Sequence, residues 1–184
     1  MAERHLGDGR WQGWRDVPAD LSDHDQIARL SAHLPDQALL ISSDLIRSIA
    51  TADALAHPAR RRLAHDPALR ELDFGEWDGL DFREVSARDP DLSRAYWETP
   101  GDIAPPNGES WNAVAARVSA AIDGYLALGL PDLIVVGHFG MILTQVQRAL
   151  SITPYEAFGH RIDNLSVTEI KTVPWSAERI NHKP

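Results

Sequence analysis

The chain has no cysteine among its 184 residues, which rules out disulfides, a thiol nucleophile and any thiolate metal site. It also has no apolar run approaching the roughly 18 residues of a membrane-spanning helix, and its first residues lack the apolar stretch of a signal peptide. A cytoplasmic protein without a membrane partner is therefore expected. Basic residues are in deficit: 18 Lys and Arg stand against 27 Asp and Glu, for a net charge of -9. Counterion release from nucleic acid needs a basic face, so no nucleic-acid partner is expected. A small anion stays open, because a few arginines gathered at one place suffice. The eight histidines show no H-E-x-x-H or comparable spacing, so neither a metal nor another cofactor is expected.

Hydrophobic content of 43% and charged content of 24% are ordinary for a globular protein, and the length suits one domain with a real core. The chain is organised around Asp132-Leu-Ile-Val-Val-Gly-His138-Phe-Gly140 and the residues that follow. Residues 133–136 form a continuous β-branched run, which reads as a strand buried on both faces. From Met141 onward, Ile142, Leu143, Val146 and Leu150 recur at helical spacing. A strand that becomes a helix through Gly-His-Phe-Gly puts an imidazole at a strand's carboxyl end, beside free N–H groups at a helix N-terminus. An anion binds at such a place, although a lone histidine in a turn is an equally good reading of this segment alone.

The remaining elements alternate. Residues 1–20 read as loop. Ser22, with Asp25 three positions on, starts a helix bearing Ile27, Leu30 and Leu34. Residues 38–41 form a second buried strand, and Ser42-Ser-Asp44 is positioned to cap a helix over Ile46, Ile49, Ala50 and Leu55. A weak strand at residues 62–65 precedes an irregular stretch, two short helices near residues 82–87 and 92–97, and a proline-rich loop at 99–109. Ser110 caps the longest helix, with Trp111, Val114, Val118, Ile122 and Tyr125 on one face. A helical turn near Pro154 and an antiparallel pair, residues 165–170 with 175–181, complete the chain. The expectation is an α/β fold, a three-layer sandwich with a mostly parallel central sheet. It forms one domain over residues 1–184, with residues 76–110 as a helical and loop insertion over the site.

Four blocks carry a resemblance. Ser42-Ser-Asp-Leu-Ile-Arg47-Ser-Ile-Ala-Thr51, Leu69-Arg-Glu71-Leu-Asp-Phe-Gly-Glu-Trp-Asp-Gly79, Pro105-Pro-Asn-Gly-Glu-Ser110 and Val135-Val-Gly-His138-Phe-Gly140 together resemble the histidine phosphatase superfamily, the phosphoglycerate mutase-like proteins. Gly9-Arg-Trp-Gln-Gly-Trp-Arg-Asp16 is similar to the segment after that family's first active-site loop. The resemblance implies a metal-independent phosphomonoester hydrolase that works through a phosphohistidine on a small phosphorylated substrate. It makes Arg47 a bidentate phosphate ligand, His138 the second histidine that donates to the phosphoryl oxygens, and Glu71 the acid. A carboxyl beside phosphate's charge keeps its proton and can pass it to the leaving oxygen. Asp73 and Glu76 are close enough in sequence to compete for that role. Trp97, Tyr96 and Phe82 sit near the expected pocket mouth, where they either stack on a ring-bearing substrate or pack inward.

The family's nucleophile is a histidine in an Arg-His-Gly triplet ending the first, central strand. Here the corresponding residues are Arg4-His5-Leu6-Gly7, with Arg4 as a phosphate ligand and His5 as the nucleophile. Leu6 stands where the triplet has glycine, and only three residues precede Arg4, whereas a strand usually needs about five. Three readings stay open: the nucleophile lies upstream, the chain is a non-catalytic phosphate-ligand or protein-binding relative, or His5 serves from an irregular arm. Without a central strand the sheet keeps an unpaired edge, for which pairing with a second copy as a homodimer is one remedy.

Overall fold

The structure is a computed structural model and describes residues 10–129 and 132–184. Helix α1 (His24–His33) is capped by the Asp23 side chain, which accepts from the Gln26 amide; the cap is thus one residue beyond the expected Ser22. Strand β1 (Leu39–Ser42) and helix α2 (Ile46–Ala54) follow, then the two-residue strand β2 (Arg61–Arg62). Next come 3-10 turns at Pro67–Leu69 and Gly75–Trp77 and two short helices, α3 (Phe82–Arg88) and α4 (Pro90–Glu98). Helix α5 (Trp111–Leu126) begins where Ser110 accepts from the Ala113 amide, as its sequence predicts. Strand β3 (Leu133–Val136), helix α6 (Phe139–Leu150) and helix α7 (Pro154–Phe158) lead to the hairpin of β4 (Val167–Thr172) and β5 (Trp175–His182).

The parallel sheet has the order β2-β1-β3. β1 pairs with β3 from Leu39↔Leu133 to Ser42↔Val136 without a slip, so the two strands end level. Side chains alternate across a strand, and here both faces are covered. Leu40, Ile134 and Val136 join Ile27 and Leu30 of α1 and Ala52 and Leu55 beside them in one cluster. Ile41 joins Val114, Val118 and Ile122 of α5 and Met141, Leu143 and Val146 of α6 in the other, with Leu133 and Val135 packed against it. Helices therefore cover the sheet on both sides, which is the expected three-layer arrangement.

The antiparallel hairpin predicted near the carboxyl end forms, but among the described residues β4 pairs only with β5. It stands as a separate two-stranded sheet. Within residues 76–110, the ring of Trp77 meets Tyr96 edge-on at 5.6 Å, which ties α4 inward. No helix among the described residues is long and apolar enough to cross a membrane.

Leu143 is fully buried where α6 meets α5. Leu143→Ala is expected to cost about 2–5 kcal/mol, through lost burial and the cavity left behind, and a thermal or urea melt reads that loss directly.

Candidate active site

The level ends of β1 and β3 decide where the site lies. One residue past β1 is Ser43, and two residues past β3 is His138, the N-cap of α6. Parallel strands in register bring these two together, although they are 95 positions apart: Ser43 Oγ lies 2.6 Å from His138 Nε2. The other ring nitrogen, Nδ1, lies 3.4 Å from Arg47 Nη2. Arginine can only donate, so a neutral imidazole held here accepts at Nδ1 and donates from Nε2 to the serine. His138 is 2% exposed and Arg47 1%.

Arg47 reaches this point from the first turn of α2 and is held there by backbone. Its Nη1 donates to the Arg15 carbonyl at 2.6 Å, and its Nη2 to Gly13 at 2.8 Å and Gln12 at 3.4 Å. The loop that supplies those carbonyls is fixed from its other side by Asp78, whose carboxylate accepts from the amides of Gly13, Trp14 and Arg15 at 2.9, 2.9 and 3.1 Å. Asp16, next in the loop, accepts from the Ile46 amide at 2.7 Å and so satisfies the start of α2. This corrects the expected role of Ser42-Ser-Asp44 as a cap. Leu45 is the N-cap and makes no side-chain bond; Ser43 turns to His138, and Asp44 forms a two-pronged pair with Arg70 at 2.6 Å to each oxygen.

Glu71 changes the picture drawn for the helix N-terminus. The amides expected to be free for an external anion donate to this carboxylate: Gly140 at 3.0 and 3.1 Å and Met141 at 3.2 Å, with Leu72 at 2.9 Å. The start of α6, where the helix dipole favours negative charge, is thus taken by a carboxyl group of the chain itself. Gly140 permits that approach, since a Cβ there would stand 2.8 Å from Glu71 Oε1 and collide with Leu72. The backbone behind Glu71 is anchored too. Its carbonyl accepts from Trp14 Nε1 at 2.9 Å and Arg117 Nη2 at 3.2 Å, while Arg117 is itself paired with Glu109 at 2.6 Å.

Arg47, Glu71 and His138 line one cavity of about 290 Å³. Trp11, Phe74, Trp97 and Phe158 form its apolar wall, with Trp11 and Trp97 stacked at 4.9 Å. Of the aromatics considered from sequence, Trp97 faces the cavity, Tyr96 is buried at 1% exposure and Phe82 is exposed to solvent. Asp73 and Glu76, the alternatives to Glu71, do not line it; the Asp73 carboxylate accepts from the Gly75 amide at 2.8 Å. Arg4 and His5 lie outside the described residues. Among the described residues no group of three or more His, Asp or Glu side chains is placed to hold a metal ion.

The sequence profile of the histidine phosphatase superfamily (branch 1) matches residues 4–181. The chain belongs to this superfamily. A bifunctional protein of Mycobacterium tuberculosis is 34% identical over 140 residues, covering 76% of the chain, and the chain spans only 34% of that protein's length. Glucosyl-3-phosphoglycerate phosphatase of Mycolicibacterium vanbaalenii is 32% identical over 162 residues, which cover 82% of the chain and 72% of that enzyme. Among solved structures, Bacillus stearothermophilus YhfR superposes with a TM-score of 0.83 at 21% identity, over 98% of the chain and 93% of YhfR, and at that identity it shows the shared fold.

Within the histidine phosphatase fold of this chain, Asp16 and Asp78 support the site although the sequence alone assigns them no role. Ser43, expected as a cap, meets the imidazole instead, and Asp78, just before Gly79, holds the loop that grips Arg47. Only the folded loop shows what each one holds.

Two consequences can be measured. Gly140→Ala must displace Glu71 and Leu72, and a loss of about 1–3 kcal/mol in a thermal melt is expected from the overpacking. Asp44 is held below its ordinary carboxyl value, first by its hydrogen bond from Arg70 and then by that cation's charge, against desolvation. A lowered folded-state pKa gives stability that is present above the unfolded value and lost as pH falls through the folded one. Asp44→Asn is therefore expected to shrink the drop in melting temperature between about pH 5 and about pH 3. The effect is at most about 1 kcal/mol, or ~2–4 °C, for a pair this close to solvent.

Proposed function

We propose that this chain is a phosphomonoester hydrolase of the cytoplasm, acting on a small phosphorylated substrate through a phosphohistidine intermediate. It needs no metal or other cofactor in this reading, and neither nucleic acid nor membrane is a partner. The chain is one phosphoglycerate mutase-like domain, and residues 76–110 are an insertion over the site. The observation that carries the reading is the meeting of Arg47, His138 and Glu71 on one cavity at the carboxyl ends of β1 and β3. The named activity of the Mycolicibacterium relative, a phosphatase, supports it.

In the first step an imidazole nitrogen attacks phosphorus, the bond to the leaving oxygen breaks, and Glu71, which takes up a proton when the phosphate's charge comes beside it, delivers that proton to the leaving oxygen. Water then attacks the phosphohistidine, gives its proton to Glu71, and the phosphorus–nitrogen bond breaks to release inorganic phosphate. Arg47 and His138 bear on the charge that gathers on the phosphoryl oxygens. The attacking imidazole is assigned to His5, with Arg4 as a further phosphate ligand. A second reading, phosphate-ligand binding without turnover, is favoured by the Leu6 that breaks the Arg-His-Gly triplet.

Vanadate or phosphate titration combined with rapid quench of a labelled phosphomonoester separates the two. Arg47→Ala and His138→Ala are each expected to weaken vanadate binding about 10- to 100-fold, the worth of one hydrogen bond to a charged group. Glu71→Gln should keep vanadate binding and lose roughly 10²- to 10⁴-fold in turnover. An acid-labile phosphoprotein that disappears in His5→Ala supports hydrolysis through that residue. Vanadate binding with no phosphoprotein selects the second reading, and no vanadate binding removes both.

A further inference from the structure

The cavity that holds Arg47, His138 and Glu71 has a second half of different character. Its apolar wall is a chain of four rings drawn from four places in the sequence: Phe74, Trp11, Trp97 of α4 and Phe158 of α7. Each ring meets the next, with Phe74 and Trp11 tilted at 5.2 Å, Trp11 and Trp97 stacked at 4.9 Å, and Trp97 and Phe158 edge-on at 5.1 Å. These are the separations of packed aromatic pairs, so each ring fixes its neighbour and the wall is formed before a ligand arrives. Trp11 is also pinned through its backbone: its amide donates to the Leu80 carbonyl at 2.9 Å, and its carbonyl accepts from the Gly79 amide at 2.8 Å. Trp11, Trp97 and Phe158 each keep part of their surface uncovered. Rigid apolar surface left open inside a concave site is what a ligand's apolar part fills.

We infer that this wall is the subsite for the leaving group, and that the phosphomonoester taken here is the ester of an uncharged, ring-bearing alcohol. The inference rests on the phosphoryl group sitting at Arg47 and His138, as proposed above. Phe74 stands three residues after Glu71 and lines the same cavity, so the wall begins near the group that hands its proton to the leaving oxygen. The cavity's 290 Å³ lies at the small end of ligand sites, which run from roughly 300 to 1,000 Å³. That suits a phosphoryl group with one compact ring system. A planar ring buries its faces and edges against the wall, whereas the hydroxyls of a sugar would lose water there without partners. Charge points the same way. Among the described residues that line the cavity the arginines are Arg10 and Arg47, and Arg10 donates to the Glu84 carboxylate at 3.0 Å and the Gly79 carbonyl at 2.8 Å. With Arg47 given to the phosphoryl group, a carboxylate on the leaving group would be drawn out of water against rings.

The test uses the full chain and three probes that cannot be hydrolysed: methylphosphonate, phosphonoacetate and (2-naphthyl)methylphosphonate. In calorimetric titration the naphthyl probe is expected to bind about 10- to 100-fold tighter than methylphosphonate, and phosphonoacetate no tighter than methylphosphonate. Vanadate should displace all three. Trp97→Ala and the milder Phe158→Leu are each expected to shrink the naphthyl advantage about threefold or more. If a variant does not fold, the ratio in the unsubstituted chain still decides. With esters, kcat/KM for 2-naphthylmethyl phosphate should exceed that for ethyl phosphate by a similar factor. Both alcohols leave as primary alkoxides, so that ratio reads the wall and not the acidity of the leaving group. Equal affinity for the naphthyl and methyl probes overturns the inference while vanadate binding keeps the phosphoryl site. Tighter binding of phosphonoacetate than of the naphthyl probe overturns it too, as does a naphthyl advantage that vanadate does not displace or that both folded variants leave intact. No binding of vanadate or of any probe removes the phosphoryl site itself, and the subsite with it. A naphthyl advantage in binding without turnover of either ester keeps the subsite and selects ligand binding without hydrolysis.

Discussion

The in-register parallel pairing of β1 with β3 is the constraint on which the site depends. Four consecutive pairs, ending at Ser42↔Val136, make the two strands stop together, and the turns that leave them cannot avoid each other. The cation and the imidazole of the cavity start from those two turns, Ser43 and Arg47 after one and His138 and Gly140 after the other, while Glu71 comes from the stretch that follows the turn Pro67–Leu69. A one-residue slip would send the apolar side chains of β3 to the wrong clusters and part Ser43 from His138. Core packing and site geometry are thus fixed by the same register.

The charged side chains buried along the cavity are held mainly by backbone dipoles. Arg47 is gripped by three carbonyls and Glu71 by three amides, so neither charge is buried without hydrogen bonds. Glu71 and Arg47 also share one support, the loop of residues 12–16. Its carbonyls take the guanidinium, its amides take Asp78, and Trp14 donates to the Glu71 carbonyl. Arg70, paired with Asp44, lies 4.7 Å over the Trp14 ring and closes the same loop from outside. The cation and the carboxylate are positioned through one strap, and a change in that strap moves both.

The elements were legible where periodicity is local. The β-branched run of β3, the Ser110 cap of α5 and the alternation of β4 each follow from neighbours in sequence; the first two appear where expected, and β4 begins and ends two residues later than the expected 165–170. The resemblance carried by four blocks also brought out Arg47, Glu71 and His138, which the structure places on one cavity. What sequence could not show is what closes over long separations. Asp78 caps a loop 65 positions away, Glu71 fills a helix start 69 positions away, and Asp16 rather than Ser42 or Asp44 meets the start of α2. A carboxylate near glycines has the same signature whether it faces a ligand or caps a helix; only the fold distinguishes the two.

β3 leads into the active-site cavity and lines a second one. Its end delivers His138, whose ring is held by Ser43 and Arg47 from the β1 side. Its residues also line, with those of β4, a cavity of about 800 Å³ away from the active site. Among the described residues the imidazole is oriented from the paired side. Among the same residues no β3–β4 ladder joins the hairpin to the sheet. The hairpin is held through side chains: Val167 packs on the α1 and α2 side, while Trp175 and Ile180 pack on the α5 and α6 side, where Arg148 lies 3.8 Å over the Trp175 ring. The β1–β3 ladder, continuous over four pairs, is the frame against which these side-chain contacts are set.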